Sequence, residues 1–207
     1  MEMPPPYPPD KDWSELVLAM IGSRYSVAPK RLAAPGPSAA QLQAIVEAAG
    51  CAPDHELLRP WRLVRIAPDQ RERLAGLFVA ALLERDPAAA LEDQARAREK
   101  AFRAPELLLA VARLEPAHDD VPAHERYVAL GAALMNLLLA AHGMGFGAML
   151  TSGHSLRSRR FAQAFATGGG EVPVCFVSIG TPLAVRRRAR PSAQELMSDW
   201  RHGASDA

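Results

Sequence analysis

The stretch Ala52-Pro53-Asp54-His55-Glu56-Leu57-Leu58-Arg59-Pro60-Trp61 follows an apolar-periodic segment and precedes a β-like run, Arg62-Leu63-Val64-Arg65-Ile66. Prolines at 53 and 60 deny it a regular helix or strand, because each lacks an amide donor and holds its predecessor extended. The result is a rigid connection carrying an imidazole, a guanidinium and an indole. A lone histidine beside Asp54 is ordinarily a satisfied structural residue, so a site here needs support from elsewhere in the chain.

Upstream, Ser38 and Gln41 have capping-box spacing, and Leu42, Ile45, Val46 and Ala49 lie on one face at helical period. Asp12 and Glu15 give a similar signal for a short helix through Leu16, Val17 and Met20 to Gly22. Downstream, Pro68 suits the first turn of a helix carrying Leu74, Leu77, Phe78 and Leu82. A charged helical stretch from Ala88 to Phe102 follows, a candidate lid, and Pro105 stops it before the apolar strand Leu107–Ala112. The longest helix is expected over Pro122–His142, with Leu130, Leu134, Leu137, Leu138 and Ala141 implying burial on more than one side. Strands over Ala148–Leu150 and Val172–Gly180 flank a short helix from Leu156 to Phe165. Helices and strands mix without the regular alternation of a doubly wound sheet, so the class is α+β.

The 207-residue length favours one domain, expected over 12–185, between a proline-rich start at 1–11 and a basic arm at 186–207. A formal charge of +1 gives no reason to expect nucleic-acid or membrane partners. No uncharged apolar run reaches the roughly 18 residues of a membrane span. Cys51 and Cys175 form no CxxC or zinc-like cluster, and Met1–Pro9 lacks the basic and apolar regions of a secretory signal. A reduced, cytoplasmic protein is expected. His124-Glu125 lacks the second histidine of HExxH, and Ser152-Gly153-His154 does not supply GxSxG, so neither metal nor triad chemistry is expected.

Three further segments bear on a site. Arg24-Tyr25-Ser26 offers a permanent cation and hydroxyls, suited to a phosphate and a polyol chain; alone, it is a surface arginine and a turn serine. Leu150-Thr151-Ser152-Gly153 joins a glycine that permits close backbone approach to two hydroxyl donors, and also reads as a strand-to-helix turn. Ala140-Ala141-His142-Gly143-Met144-Gly145 invites comparison with a dinucleotide fingerprint, but its glycines follow a helix instead of joining strand to helix; helix termination is the simpler explanation.

In their order and spacing from about Ser23 to Pro182, these segments resemble the nitroreductase family of FMN-dependent oxidoreductases, in particular a small NAD(P)H nitroreductase subgroup with an APDH…PW segment. The resemblance implies a nitroreductase-like α+β fold with a central mixed or antiparallel sheet, flanked by helices, in an intertwined homodimer. It implies FMN contacts from Arg24, Tyr25, Ser26, Cys51, His55, Arg59, Leu150, Thr151, Ser152 and Gly153, with His55 serving the partner's flavin. It assigns Ala140–Gly145 to the pyridine nucleotide, NADH or NADPH. The flavin would carry the chemistry, so no catalytic side chain is expected, and a small-molecule acceptor such as a nitroaromatic compound or quinone would take the electrons.

Two positions depart from the subgroup: Cys51 stands where an arginine is common, and Arg59 where glutamine is common. Arg59 could replace the lost cation or merely pair with a surface carboxylate such as Glu56. Other same-fold outcomes are a dehalogenase, a flavin-fragmenting enzyme, or a non-enzymatic flavin-binding or sensing protein.

Overall fold

The computed structural model describes residues 12–114, 121–165, 169–184 and 189–200. The proline-rich start at 1–11 and the Arg186-Arg187-Arg188 run lie outside the described residues. In chain order the elements are α1 (Ser14–Ser23), β1 (Leu32–Ala33), α2 (Ala39–Ala49), β2 (Trp61–Arg65), α3 (Arg71–Arg85), α4 (Leu91–Glu99), β3 (Glu106–Arg113), α5 (Ala123–Gly143), β4 (Gly147–Thr151), α6 (Arg159–Phe165), β5 (Glu171–Pro182) and α7 (Ala193–Leu196).

The sheet runs β1-β5-β3-β2, with β4 also paired to β5, and all these strand pairings are antiparallel. Its centre is β3, whose apolar run is buried on both faces because side chains alternate with period two. Leu108, Ala110 and Ala112 face α2 and α5 together with Val177 and Ile179 of β5. Leu107, Leu109 and Val111 face the other layer, where Phe78 of α3, Phe161 of α6 and Phe176 of β5 pack ring against ring, centroids 5.2 to 6.1 Å apart. Cys175 belongs to the first layer, and burial pushes its thiol up to about 11.

Helix ends follow local signals. Ser38 and Gln41 form the capping box expected for α2. At the end of α5, Phe146 N–H donates to the Ala141 carbonyl and Gly145 N–H to that of His142, with Gly145 at φ 85°. That is a Schellman termination, which requires a residue tolerant of the left-handed region. The glycines around 143–147 therefore end a helix. Gly147 has a second reason: a Cβ there would sit 2.8 Å from Val27 Cγ2.

Several expected boundaries differ. Asp12 does not cap α1 in a box with Glu15; the cap position is Trp13, and the Asp12 carboxylate accepts from Ser14 N–H at 2.9 Å. The chain after Pro68 makes a 3-10 turn first, so α3 begins at Arg71. The 88–102 stretch divides into α4 and a 3-10 turn at Lys100–Phe102, anchored by buried Ala97 and Ala101. Within one chain α5 buries one broad stripe, Arg126, Ala129, Leu130, Ala133, Leu134, Leu137, Leu138 and Ala141. Its other side leaves Val128 71% exposed, and α1 exposes Leu16 and Leu18 at 58% and 68%.

Candidate functional site

The first part of the site lies where α1 ends. Arg24 caps that helix in extended backbone, Ser26 makes an isolated parallel bridge to Ala148, and Val27 N–H donates to the Ala148 carbonyl at 3.1 Å. The segment from Arg24 therefore runs alongside β4. Tyr25 OH donates to the Ala184 carbonyl at 2.8 Å, which ties the side chain to the segment just after β5. Arg190 donates to the Arg24 carbonyl and so brings a second guanidinium to this corner.

Arg24 has a buried Nε with no hydrogen-bond partner among the described residues. Burial holds its guanidinium below the usual range, and the Arg190 charge adds to the effect. A permanent cation half removed from water, facing another cation and lacking an acceptor, is costly unless an anion completes it. His142 Nε2 lies 2.9 Å from Ser23 Oγ, and its pKa is lowered first by burial and then by Arg24. Ser23, Arg24, Tyr25, His142, Gly145 and Phe146 line a cavity of about 260 Å³.

The second part is the loop at the far end of β4. Thr151, Ser152 and Gly153 form one wall of a larger cavity, about 560 Å³, facing α3, α4 and the turn after α4. From the Ser26–Ala148 bridge to Thr151 is roughly 10 Å at about 3.4 Å per strand residue. A ligand with an anionic end and a flat end can thus follow one edge of β4 from Arg24 to this loop. Ser152 and Gly153 are exposed, whereas Leu150 is half-buried against the core.

The third part is the 52–61 loop. Asp54 accepts from Arg59 N–H at 2.6 Å, closing a turn in which Glu56, Leu57 and Arg59 take φ values of 51°, 56° and 47°. Non-glycine residues in this region cost on the order of 1–3 kcal/mol each. The buried Pro60 carbonyl, accepting from Arg113 N–H at 2.8 Å, anchors the loop to the sheet. His55 is exposed, 3.7 Å from Glu125 and 4.0 Å from Glu56, and lines a cavity of about 350 Å³ with Pro53, Leu58 and Pro60.

The predicted site residues thus fall into separate places in one chain. Arg24, Tyr25, His142 and Gly145 share the small cavity; Thr151, Ser152 and Gly153 line the large one; His55 lines the third. Ser26 pairs with β4 at the edge of the first. Of the segment proposed for the nucleotide, Ala141 is wholly buried in the core, Ala140 is half-buried, and Gly143 and Met144 are exposed. Cys51 is exposed with its thiol 3.8 Å from the Glu47 carbonyl, and Arg59 is exposed without an ion pair to Glu56 or any other described residue. Sequence reading did not single out Arg85, Lys100 and Arg103, which wall the large cavity. Their spacing carries no motif; only the packing of α3 against α4 brings them together.

Residues 21–181 match the nitroreductase family. The chain belongs to that family. "Putative NAD(P)H nitroreductase YdjA" of Escherichia coli is 38% identical over 154 residues, spanning 73% of this chain and 81% of the relative. A "Putative NAD(P)H nitroreductase" of Haemophilus influenzae is 33% identical over 159 residues, 77% and 85% of the two chains. Among solved structures, a nitroreductase-like family protein from Bacillus cereus superposes with a TM-score of 0.75 at 19% identity, covering 90% of this chain and 96% of its own. The FMN-dependent nitroreductase NfnB from Mycobacterium smegmatis, solved with NADPH, gives 0.69 at 17% identity, covering 92% and 100%. These nitroreductase structures share the fold; the sequence relatives carry the family.

Proposed function

We propose that this nitroreductase-family chain is a homodimeric FMN oxidoreductase taking hydride from NADH or NADPH and acting in the cytoplasm. The observation that carries the reading is the unpartnered, buried Nε of Arg24 beside Arg190, at one end of a strand edge whose other end is the 151–153 loop. That pairing suits a phosphate at Arg24 and a flat ring at the loop. Family membership and relatives named as NAD(P)H nitroreductases favour FMN over other phosphorylated ligands. The family's solved members include a Desulfitobacterium hafniense nitroreductase with bound FMN.

When bound, FMN supplies the redox chemistry, taking up a hydride and passing the electrons to a small acceptor such as a nitroaromatic compound or quinone. The chain's own residues position and shield. Arg24 and Arg190 would neutralise the phosphate, Ser26 and Tyr25 would border the polyol, and the backbone donors of Ser152 and Gly153 would face the ring. Thr151 and Leu150 would close its edge. Neutral His142, beside Arg24, keeps the corner from gaining a third positive charge. His142, Gly143, Met144 and Gly145, with Ala140 and Ala141 behind them, are the proposed nucleotide side of the site.

His55 lines a cavity apart from both pieces, so its contribution is assigned to the flavin of a second copy. The apolar side chains exposed on α1 and α5 supply a surface for that copy. The unit comprising residues 12–185 is proposed as the working domain. Cys51 and Cys175 are free, in keeping with a reduced compartment, and no helix among the described residues is long and apolar enough to cross a membrane.

The test is anaerobic stopped-flow mixing of the FMN-saturated protein with NADH and with NADPH, alongside light scattering. Rapid bleaching by at least one nucleotide, in a particle of about twice 22.3 kDa, is expected. A protein that rejects FMN, or stays oxidised with both nucleotides, defeats the enzymatic reading; a fully loaded monomer defeats the shared site.

A further inference from the structure

The large cavity has a wall that flavin binding does not explain. Opposite the 151–155 loop, Phe78, Leu82, Leu107 and Phe176 make an apolar floor, with Phe78 and Phe176 rings 5.5 Å apart at 43°. Over that floor converge Arg85 from the end of α3, Arg96 from α4, and Lys100 and Arg103 from the turn that follows. Arg96 is neutralised by Glu92 and by Asp93 at 2.7 Å, and Arg103 is 3.6 Å from Glu99. Arg85 and Lys100 have no carboxylate within ion-pair distance among the described residues.

The surplus positive charge is therefore local and directed. Lys100 Nζ lies 5.8 Å from the centre of the Phe78 ring, at the boundary of floor and mouth. Its ammonium is pulled below the ordinary range by desolvation first, then by the charges of Arg103 and Arg85. Two cations, Arg85 and Lys100, gathered without matching carboxylates beside the Glu99-paired Arg103 weaken one another, and a bound anion would relieve both at once. A neutral ring could use the floor but not the mouth; a small inorganic anion could use the mouth but not the floor.

We propose that this cavity binds an aromatic anion, its ring against the apolar floor and its carboxylate or phosphoryl group at the mouth beside Lys100 and Arg85. The ligand would lie between that floor and the 151–153 wall where the proposed flavin ring sits, so anionic aromatic compounds are the class of small molecule this protein selects as partner to the flavin. Only that last step rests on the oxidoreductase reading; the binding does not.

Isothermal titration of the full-length, FMN-saturated protein with benzoate, phenyl phosphate and neutral benzamide tests the idea. At least one anion is expected to bind about tenfold or more tightly than benzamide, since charge-assisted contacts replace neutral ones. That preference is expected to shrink as sodium chloride rises, and to vanish in the surface double variant Arg85→Gln/Lys100→Gln while benzamide binding stays unchanged. The stronger of the two anions identifies carboxylate or phosphoryl as the natural group. Equal binding of all three, no binding of either anion, or a preference that survives in the double variant overturns the proposal. Flavin content and NAD(P)H bleaching, read on the same samples, keep the two readings separate. Bleaching without anion preference sinks this site alone; anion preference in an FMN-loaded protein that neither NADH nor NADPH bleaches sinks the oxidoreductase alone.

Discussion

Replacing Arg24 by Met should move ligand affinity and protein stability apart. The substitution keeps most of the apolar stem but removes the guanidinium, whose Nε is buried without an acceptor among the described residues and which faces Arg190. Leaving such a group unpaired costs about 1–3 kcal/mol, so its removal should leave the ligand-free protein at least as stable as the wild type. FMN should lose a charge-assisted phosphate contact worth about 1.5–3 kcal/mol, or roughly one to two decades in Kd. At a flavin concentration 100 times the wild-type Kd, linkage stabilises the wild type by about 2.7 kcal/mol; the variant should gain only about 1.4 kcal/mol for a tenfold loss and about 0.4 kcal/mol for a hundredfold loss. Urea denaturation with and without FMN, with Kd from flavin fluorescence, reads both quantities on one sample. An unchanged Kd, or a ligand-free variant destabilised by several kcal/mol, would refute the argument and make Arg24 a structural arginine.

His142 should titrate below 6.5, because burial and then Arg24 disfavour its charged form. Between its folded pKa and 6.5 the unfolded state binds more protons, so this contribution to stability is full above about 6.5 and is lost as pH falls through the folded value. Arg24→Met should raise the His142 pKa partway towards 6.5; an imidazole proton resonance that titrates at 6.5 or higher in the wild type contradicts this. Arg71, only 6% exposed, donates to the carbonyls of Ile66, Ala101 and Pro105 at 3.1, 2.8 and 3.3 Å. Arg71→Met strands those acceptors and should cost about 3–6 kcal/mol in urea denaturation, and a loss below about 1 kcal/mol would show that water replaces the donor readily.

What the sequence made legible was whatever is encoded within a few residues. The Ser38–Gln41 box, the apolar β3 run after Pro105, and the helix-ending glycines after His142 each carry their cause beside them. The two-residue strand β1 was illegible because its pairing belongs to Thr181 and Pro182, nearly 150 positions away in the chain. Asp12 misled because the spacing of a capping box does not fix which residue adopts the cap backbone, and Trp13 occupies that place.

The site divides the same way, and its division has a consequence for function. Arg24, Ser26, Thr151 and Gly153 could be named because each sits on a short local pattern, yet their alignment along β4 depends on the Ser26–Ala148 bridge, which no local pattern encodes. Arg190 joins Arg24 across 166 residues, and Arg85 meets Lys100 and Arg103 only through the packing of α3 on α4. The most informative loop of the chain, Ala52–Trp61, ends up away from both of those clusters, held in a strained conformation by Asp54 and anchored by Pro60. The left-handed backbone at Glu56, Leu57 and Arg59 in an exposed loop apart from the Arg24 site fits the proposed contact with a second copy. In the proposed dimer that contact is the other subunit's flavin, which makes His55 and Arg24 parts of one site contributed by two different copies.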